Sequence, residues 1–289
     1  MKRGTKIWLI VALIFGLIGG GLCLSAAILG VTYDEVRVMA EEGDFVWHIG
    51  PFRWFSESHR KSSGYELQNG LDATGQDKVT LLKRADILNI DMDYGNLTVK
   101  ASDSSETWLD AGEDAKYFEW EYDGTTLTVQ NREEAFDWLN VDNPKATLYI
   151  PADSYFEYAD IDMDAGSCTI ETPIQCGTVE VDVDAGSAHL KDVDTGWLRL
   201  DCDAGKITFN GTVADGGEVG VDAGAVEMTL TGAEVTDYNY DIDIDVGSLT
   251  INDKSFSGLG HQQFIDNSAP ADWSLGCDAG KISMKIKNK

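Results

Sequence analysis

The stretch Val181-Asp182-Val183-Asp184-Ala185-Gly186-Ser187-Ala188-His189-Leu190 decides the reading of this chain. It is an alternating strand that ends in Asp-x-Gly and resumes as a second alternation. Strand geometry puts Val181, Val183, Ala188 and Leu190 on the inner side of the backbone and Asp182 and Asp184 on the outer side. The phrase recurs as Asp160-Ile161-Asp162-Met163-Asp164-Ala165-Gly166, Leu200-Asp201-Cys202-Asp203-Ala204-Gly205, Gly220-Val221-Asp222-Ala223-Gly224 and Asp241-Ile242-Asp243-Ile244-Asp245-Val246-Gly247. Two outlying copies read Asp91-Met92-Asp93-Tyr94-Gly95 and Gly276-Cys277-Asp278-Ala279-Gly280. Gly166, Gly186, Gly205, Gly224 and Gly247 follow one another at 20, 19, 19 and 23 residues, too regular for chance and too short for modules that fold alone. Each unit must borrow its core from its neighbours. The sequence therefore predicts an all-β chain, a single-stranded β-solenoid stacked from coils of about 20 residues.

The residue two before the glycine is Asp in all seven copies and never Glu, so side-chain length matters there beyond charge. A short carboxylate can accept a hydrogen bond from the N–H two residues on, an Asx-turn that ends the strand at a corner. Glycine suits a corner that needs a positive φ or leaves no room for a β-carbon. The competing reading is that the column binds cations. Like charges about 4.8 Å apart on adjacent rungs cost about 0.9 kcal/mol per pair even in water, and Ca²⁺, which accepts six to eight oxygens with loose geometry, would offset this. The phrase lacks the order of calcium-binding β-rolls and the spacing of an EF-hand, so the corner is read as architecture, with Ca²⁺ at the Asp-x-Gly column as the alternative.

The ends of the chain depart from this pattern. Lys2, Arg3 and Lys6 precede residues 7–31, which contain no charge. As a helix these would reach about 37 Å, enough to cross a hydrocarbon core of about 30 Å with some tilt. Residues 1–6 then form a cytoplasmic basic tail, 7–31 a transmembrane helix, 32–79 a juxtamembrane linker and 80–289 the solenoid. A cleaved signal peptide ending near Ser25-Ala26-Ala27 is the alternative, but the apolar run continues past it through Ile28 and Leu29. The aromatic group Phe45, Trp47, Phe52, Trp54 and Phe55 fits either the headgroup level or local packing. Between Gly95 and Gly166, residues 117–129 read as a hairpin about Asp123-Gly124 and residues 146–150 as a strand. These irregular pieces are expected to cap the open N-terminal end. Residues 255–271 are expected to protrude as a loop before a last coil ending near Ile286.

A formal charge of −28 opposes approach to DNA, RNA or an anionic membrane surface, so no nucleic-acid partner is expected. Cys168, Cys202 and Cys277 fall on the apolar parity of their strands and read as small hydrophobes, with Cys202 and Cys277 three rungs apart. His48, His59, His189 and His261 are scattered without ligand spacing, and no nucleophile elbow, phosphate loop or dinucleotide fingerprint occurs. A polysaccharide lyase on a β-helix would need Arg or Lys among the acids of one face, and Arg199 is the only arginine in the regular coils. Accordingly no catalytic, cofactor-binding or metal residue is assigned, and the chain is read as a binding protein and not an enzyme.

The phrases Asn96-Leu97-Thr98-Val99, Gly124-Thr125-Thr126-Leu127-Thr128-Val129 and Leu148-Tyr149-Ile150-Pro151, taken with the Asp-x-Gly coils, resemble the bacterial putative-adhesin family of β-strand repeats from about residue 78 to 289. The resemblance implies a β-solenoid at the surface of a Gram-positive-type cell, sometimes associated with envelope-stress modules, and offers no catalytic residues. The expected localisation is the cell membrane, single-pass, with the C-terminal domain extracytoplasmic. Two functions follow: an adhesin or envelope scaffold whose partner is a cell-wall polymer or surface protein, or an accessory stress sensor acting with membrane stress-response proteins.

Overall fold

The computed structural model describes residues 76–79, 85–131, 143–257 and 259–288. The predicted tail, the predicted membrane helix and nearly all of the predicted linker lie outside the described residues, as do His48, His59 and the aromatic group at 45–55. The described residues all belong to one unit, Glu57–Lys289.

Alternation sets the strands of the parallel coils. In chain order the strands are β1 Gln76–Val79, β2 Ile87–Met92, β3 Asn96–Ser102, β4 Thr107–Asp110, β5 Phe118–Tyr122, β6 Thr126–Asn131, β7 Lys145–Pro151, β8 Tyr155–Met163, β9 Ser167–Ile170 and β10 Ile174–Val183. They continue as β11 Ser187–Cys202, β12 Lys206–Val213, β13 Gly216–Val221, β14 Ala225–Thr231, β15 Tyr238–Ile244, β16 Ser248–Ile251, β17 Lys254–Ser257, β18 His261–Ile265, β19 Ala271–Cys277 and β20 Lys281–Lys287. Short 3₁₀ turns at Gly112–Tyr117 and Val235–Asp237 interrupt them. The result is all-β and solenoid-like. Each coil runs a strand into the Asp-x-Gly corner and a strand out of it, and coils pair in parallel with their neighbours. The positions three and five before the glycine and two and four after it are buried throughout, as in Leu200, Cys202, Ile207 and Phe209. Burying such side chains gains roughly 1.5–3 kcal/mol each before entropy is counted, which outweighs carboxylate repulsion on the outside. β11 is long because it carries the chain around a second bend, where Asp192 takes a left-handed φ of 54° between Leu190 and Val193.

The order of coils in the stack differs from their order in the chain, at both ends. The Gly280 coil was expected last. Instead β19 pairs with β13 on one side and β15 on the other, and β20 pairs with β14 and β16, so the last coil of the sequence lies inside the Gly247 coil. At the other end β6 and β7 lie outside β2 and β3, which pair onward to β8 and β9. The reason at the C-terminal end is visible in residues 254–265. They do not protrude as a loop: β17 folds antiparallel onto β16, and β18 antiparallel onto β15. A coil covered in this way must be outermost, and the chain that remains fills the space beneath it. Antiparallel strands close the N-terminal end too, β5 on β6 and β4 on β7, as the sequence suggested. β1, drawn from the end of the predicted linker, pairs antiparallel with β4, so the strands begin ahead of residue 80.

The exchange also corrects the spacing of Cys202 and Cys277. Each pairs with Val221, so they are two rungs apart, about 9.6 Å at the usual strand spacing, and still beyond disulfide reach. Cys168, Cys176, Cys202 and Cys277 are all free and buried.

Candidate functional site

The corner explains the repeated phrase. The Asp184 N–H donates to the Met163 carbonyl at 3.0 Å, Ala185 N–H to Asp164 at 2.9 Å, and Ser187 N–H to Gly166 at 2.9 Å. The next corner repeats the set, from Asp203, Ala204 and Lys206 to Val183, Asp184 and Gly186. These bonds run between coils, backbone to backbone. Of the two reasons offered for glycine, lack of room for a β-carbon is the general one. A β-carbon on Gly224 would lie 2.7 Å from the Gly205 carbonyl oxygen and one on Gly247 would lie 2.6 Å from that of Gly280, although neither glycine has a positive φ.

Strict alternation leaves two outer faces of different chemistry. On the first, four before each glycine, Asp91, Asp162, Asp182 and Asp201 stand in consecutive register. The column is broken by Gly220 and Gly276 and resumes at Asp243. Beside it run Asp160, Glu180, Arg199 and Glu218. The Arg199 Nε donates to Asp201 at 2.8 Å, so the arginine that a lyase would require is tied to a neighbouring acid. Burial, reinforced by the carboxylates of Asp184, Asp162, Asp93 and Asp91, pushes Asp164 up to about 6. Burial with Asp162, Asp201, Asp184 and Asp203 does the same to Asp182. Asp160 and Asp278 are raised by the same causes, burial first.

The second face is hydroxyl-rich and closer to charge balance. Thr98, Thr169, His189, Thr208, Glu227, Ser283 and Thr250 form its central column. Lys206 pairs with Glu227 at 3.0 Å and holds its carboxyl below the usual range, while Glu171 lies 3.8 Å from both Lys100 and Lys191. Pairs as exposed as these contribute at most about 1 kcal/mol each, so they add little to the stability of this face.

The corner column delivers one carboxylate per coil, and among the described residues no group of three or more His, Cys, Asp or Glu side chains could hold a metal ion. His189 lies on the second face and His261 in β18, apart from each other. No described helix is long and apolar enough to cross a membrane. One feature escaped the sequence: a recess of about 470 Å³ on the first face, walled by Phe264 and Gln262 of β18 and floored by Ser274 and Gly276 of β19. One letter of the sequence bears on it: the copy at Gly280 carries Gly276 where most others carry Asp.

Several solved structures are similar to this chain. A putative cell adhesion protein from Clostridium sporogenes is 12% identical, with a TM-score of 0.39 over 74% of this chain and 99% of that one. A putative adhesin from Bacteroides fragilis is 13% identical, with a TM-score of 0.31 over 74% and 96%. A putative lipid binding protein from Parabacteroides distasonis is 12% identical, with a TM-score of 0.33 over 74% and 96%. No curated protein is significantly similar to the chain. The family model of Toastrack DUF4097 matches residues 84–283, a span that begins just before β2, ends inside β20 and takes in every Asp-x-Gly corner. The chain belongs to the Toastrack DUF4097 family.

Proposed function

We propose that this protein is a membrane-anchored, extracytoplasmic binding scaffold of the adhesin type, held by residues 7–31 and presenting its stacked coils to a cell-wall polymer or a surface protein. The observation that carries this reading is the division of the stack into two broad outer faces, one a carboxylate array and one rich in hydroxyls, on a backbone whose corners are bonded coil to coil. A face of this kind repeats the same group at each rung and suits a repeating or extended partner, whereas catalysis needs a few groups brought to one point. The charged residues are spread along the face in register and are not concentrated in one pocket. The acidic face opposes anionic membranes and nucleic acid and favours neutral or cationic partners.

The test is cross-linking of the full-length chain in cells followed by mass spectrometry. Recovery of wall polymer or external proteins is expected. Recovery of cytoplasmic proteins alone would overturn both the topology and the function.

A further inference from the structure

The acidic column four before each glycine loses its side chains at two adjacent rungs, Gly220 and Gly276, between Asp201 and Asp243. These two glycines differ from the corner glycines. A β-carbon on Gly276 would meet nothing nearer than the Val219 carbonyl oxygen at 3.8 Å, an ordinary contact, and its φ is not positive. A β-carbon on Gly220 would meet only the flexible end of Asp201. Packing therefore does not demand glycine here. At Gly276 the missing side chain keeps the floor of the recess open.

The walls supply two kinds of contact. Asp241 and Asp243 project from β15, and Phe264 and Gln262 stand opposite them on β18. The Gln262 Nε2 donates to the Asp243 Oδ2 at 3.0 Å and fixes that carboxylate, leaving its other oxygen to accept. Phe264 leaves 65% of its surface in water, an apolar ring beside two acceptors. Ser274 adds a hydroxyl on the floor, and none of the side chains lining the recess is basic.

We propose that this recess is a saccharide-binding site for a neutral or amine-bearing sugar ring. A pyranose has an apolar C–H face that removes the exposed surface of Phe264 from water, and hydroxyls that donate charge-assisted hydrogen bonds to Asp241 and Asp243. An amine-bearing sugar adds charge attraction to the two carboxylates. A uronic or phosphorylated sugar meets repulsion from the same groups with no basic side chain to offset it. The inference rests on the scaffold reading and gives it a site and a chemical class.

The experiment uses the detergent-solubilised full chain, titrated with cellotetraose, a glucosamine tetramer and tetragalacturonate, and read by saturation-transfer NMR. Saturable binding of the first or second is expected, at least about tenfold tighter than of tetragalacturonate. Gly276→Val should weaken binding by at least about tenfold by filling the floor, and Phe264→Ala should erase the ring-proton transfer. A melting curve on each variant separates loss of the site from loss of the fold. No saturable binding of either expected sugar, binding indifferent to both variants, or saturable capture of tetralysine alone would overturn the proposal. If Gly276→Val still cross-links to envelope partners in cells with undiminished yield, the scaffold reading stands and the saccharide site falls.

Discussion

Gly186 packs directly against Gly166 of the neighbouring coil: a β-carbon on Gly186 would lie 2.7 Å from the Gly166 carbonyl oxygen, nearer than real β-carbons approach. The atom in the way is backbone and cannot swing aside, and the same carbonyl accepts the Ser187 N–H at 2.9 Å. Gly186→Ala must therefore push neighbouring coils apart at a bonded corner. We expect it to destabilise the domain by about 1–3 kcal/mol. Gly276→Ala, with its open surroundings, is expected to stay within about 0.5 kcal/mol of the parent. Denaturant unfolding of the pair checks this, and equal losses would refute the distinction between the two kinds of glycine.

Asp164 and Asp182 carry folded-state pKa values of about 6, above the ordinary carboxylate value, chiefly through burial and then through their acidic neighbours. The folded form thus binds these protons more tightly than the unfolded form. The stability they contribute is complete below the unfolded pKa of about 3.8 and is lost as pH rises through about 6. We expect the melting temperature to be higher at pH 5 than at pH 7. Asp164→Asn combined with Asp182→Asn should flatten that difference and raise stability at pH 7. An unchanged pH slope in the double variant would locate the effect elsewhere.

The spread of one carboxylate per coil implies that salt acts on the column by screening. Added NaCl is expected to raise the melting temperature, and CaCl₂ at matched ionic strength to raise it by the same amount. A larger shift with Ca²⁺, reversed by EDTA, would instead show specific cation binding at the Asp-x-Gly column.

Because β19 and β20 fill an interior position, removing residues 271–289 should do more harm than trimming an end. It strips β13 and β14 of one of their two partners, leaving them paired only with β11 and β12, and leaves β15 and β16 unsupported on that side. We expect this truncation to abolish cooperative unfolding by circular dichroism and to leave the product aggregation-prone. A truncated chain that still melts in one sharp transition would argue against the coil order described.

How far the fold was legible depends on the range of the cause. Which side chains point inward is a local property of alternation, so Val181, Val183, Ala188 and Leu190, and the hairpin around Asp123-Gly124, could be read from the letters. Which coil lies next to which is set by pairing between distant segments. Residues 271–287 carry the same phrase as every other coil, and nothing in their alternation says that they insert inside the Gly247 coil. The recess was hidden for the same reason. Phe264 became a wall only because β18 folds back onto β15, and Gly276 is written with the same letter as Gly280 four residues later, although Gly280 is demanded by a neighbouring backbone and Gly276 is not.

The strands that reverse direction at the two ends have a bearing on life at high local concentration. A stack of parallel rungs with a bare final coil offers a growing tip on which an identical copy can continue the pattern, the geometry of a fibre. Here the tip is blunted: β17 and β18, opened by Lys254 and His261, reverse the polarity at one end, and at the other β5 does the same while β4 is itself covered by the four-residue strand β1. An arriving copy would meet a mismatched template, so the stack stays a unit of fixed length where many copies crowd together.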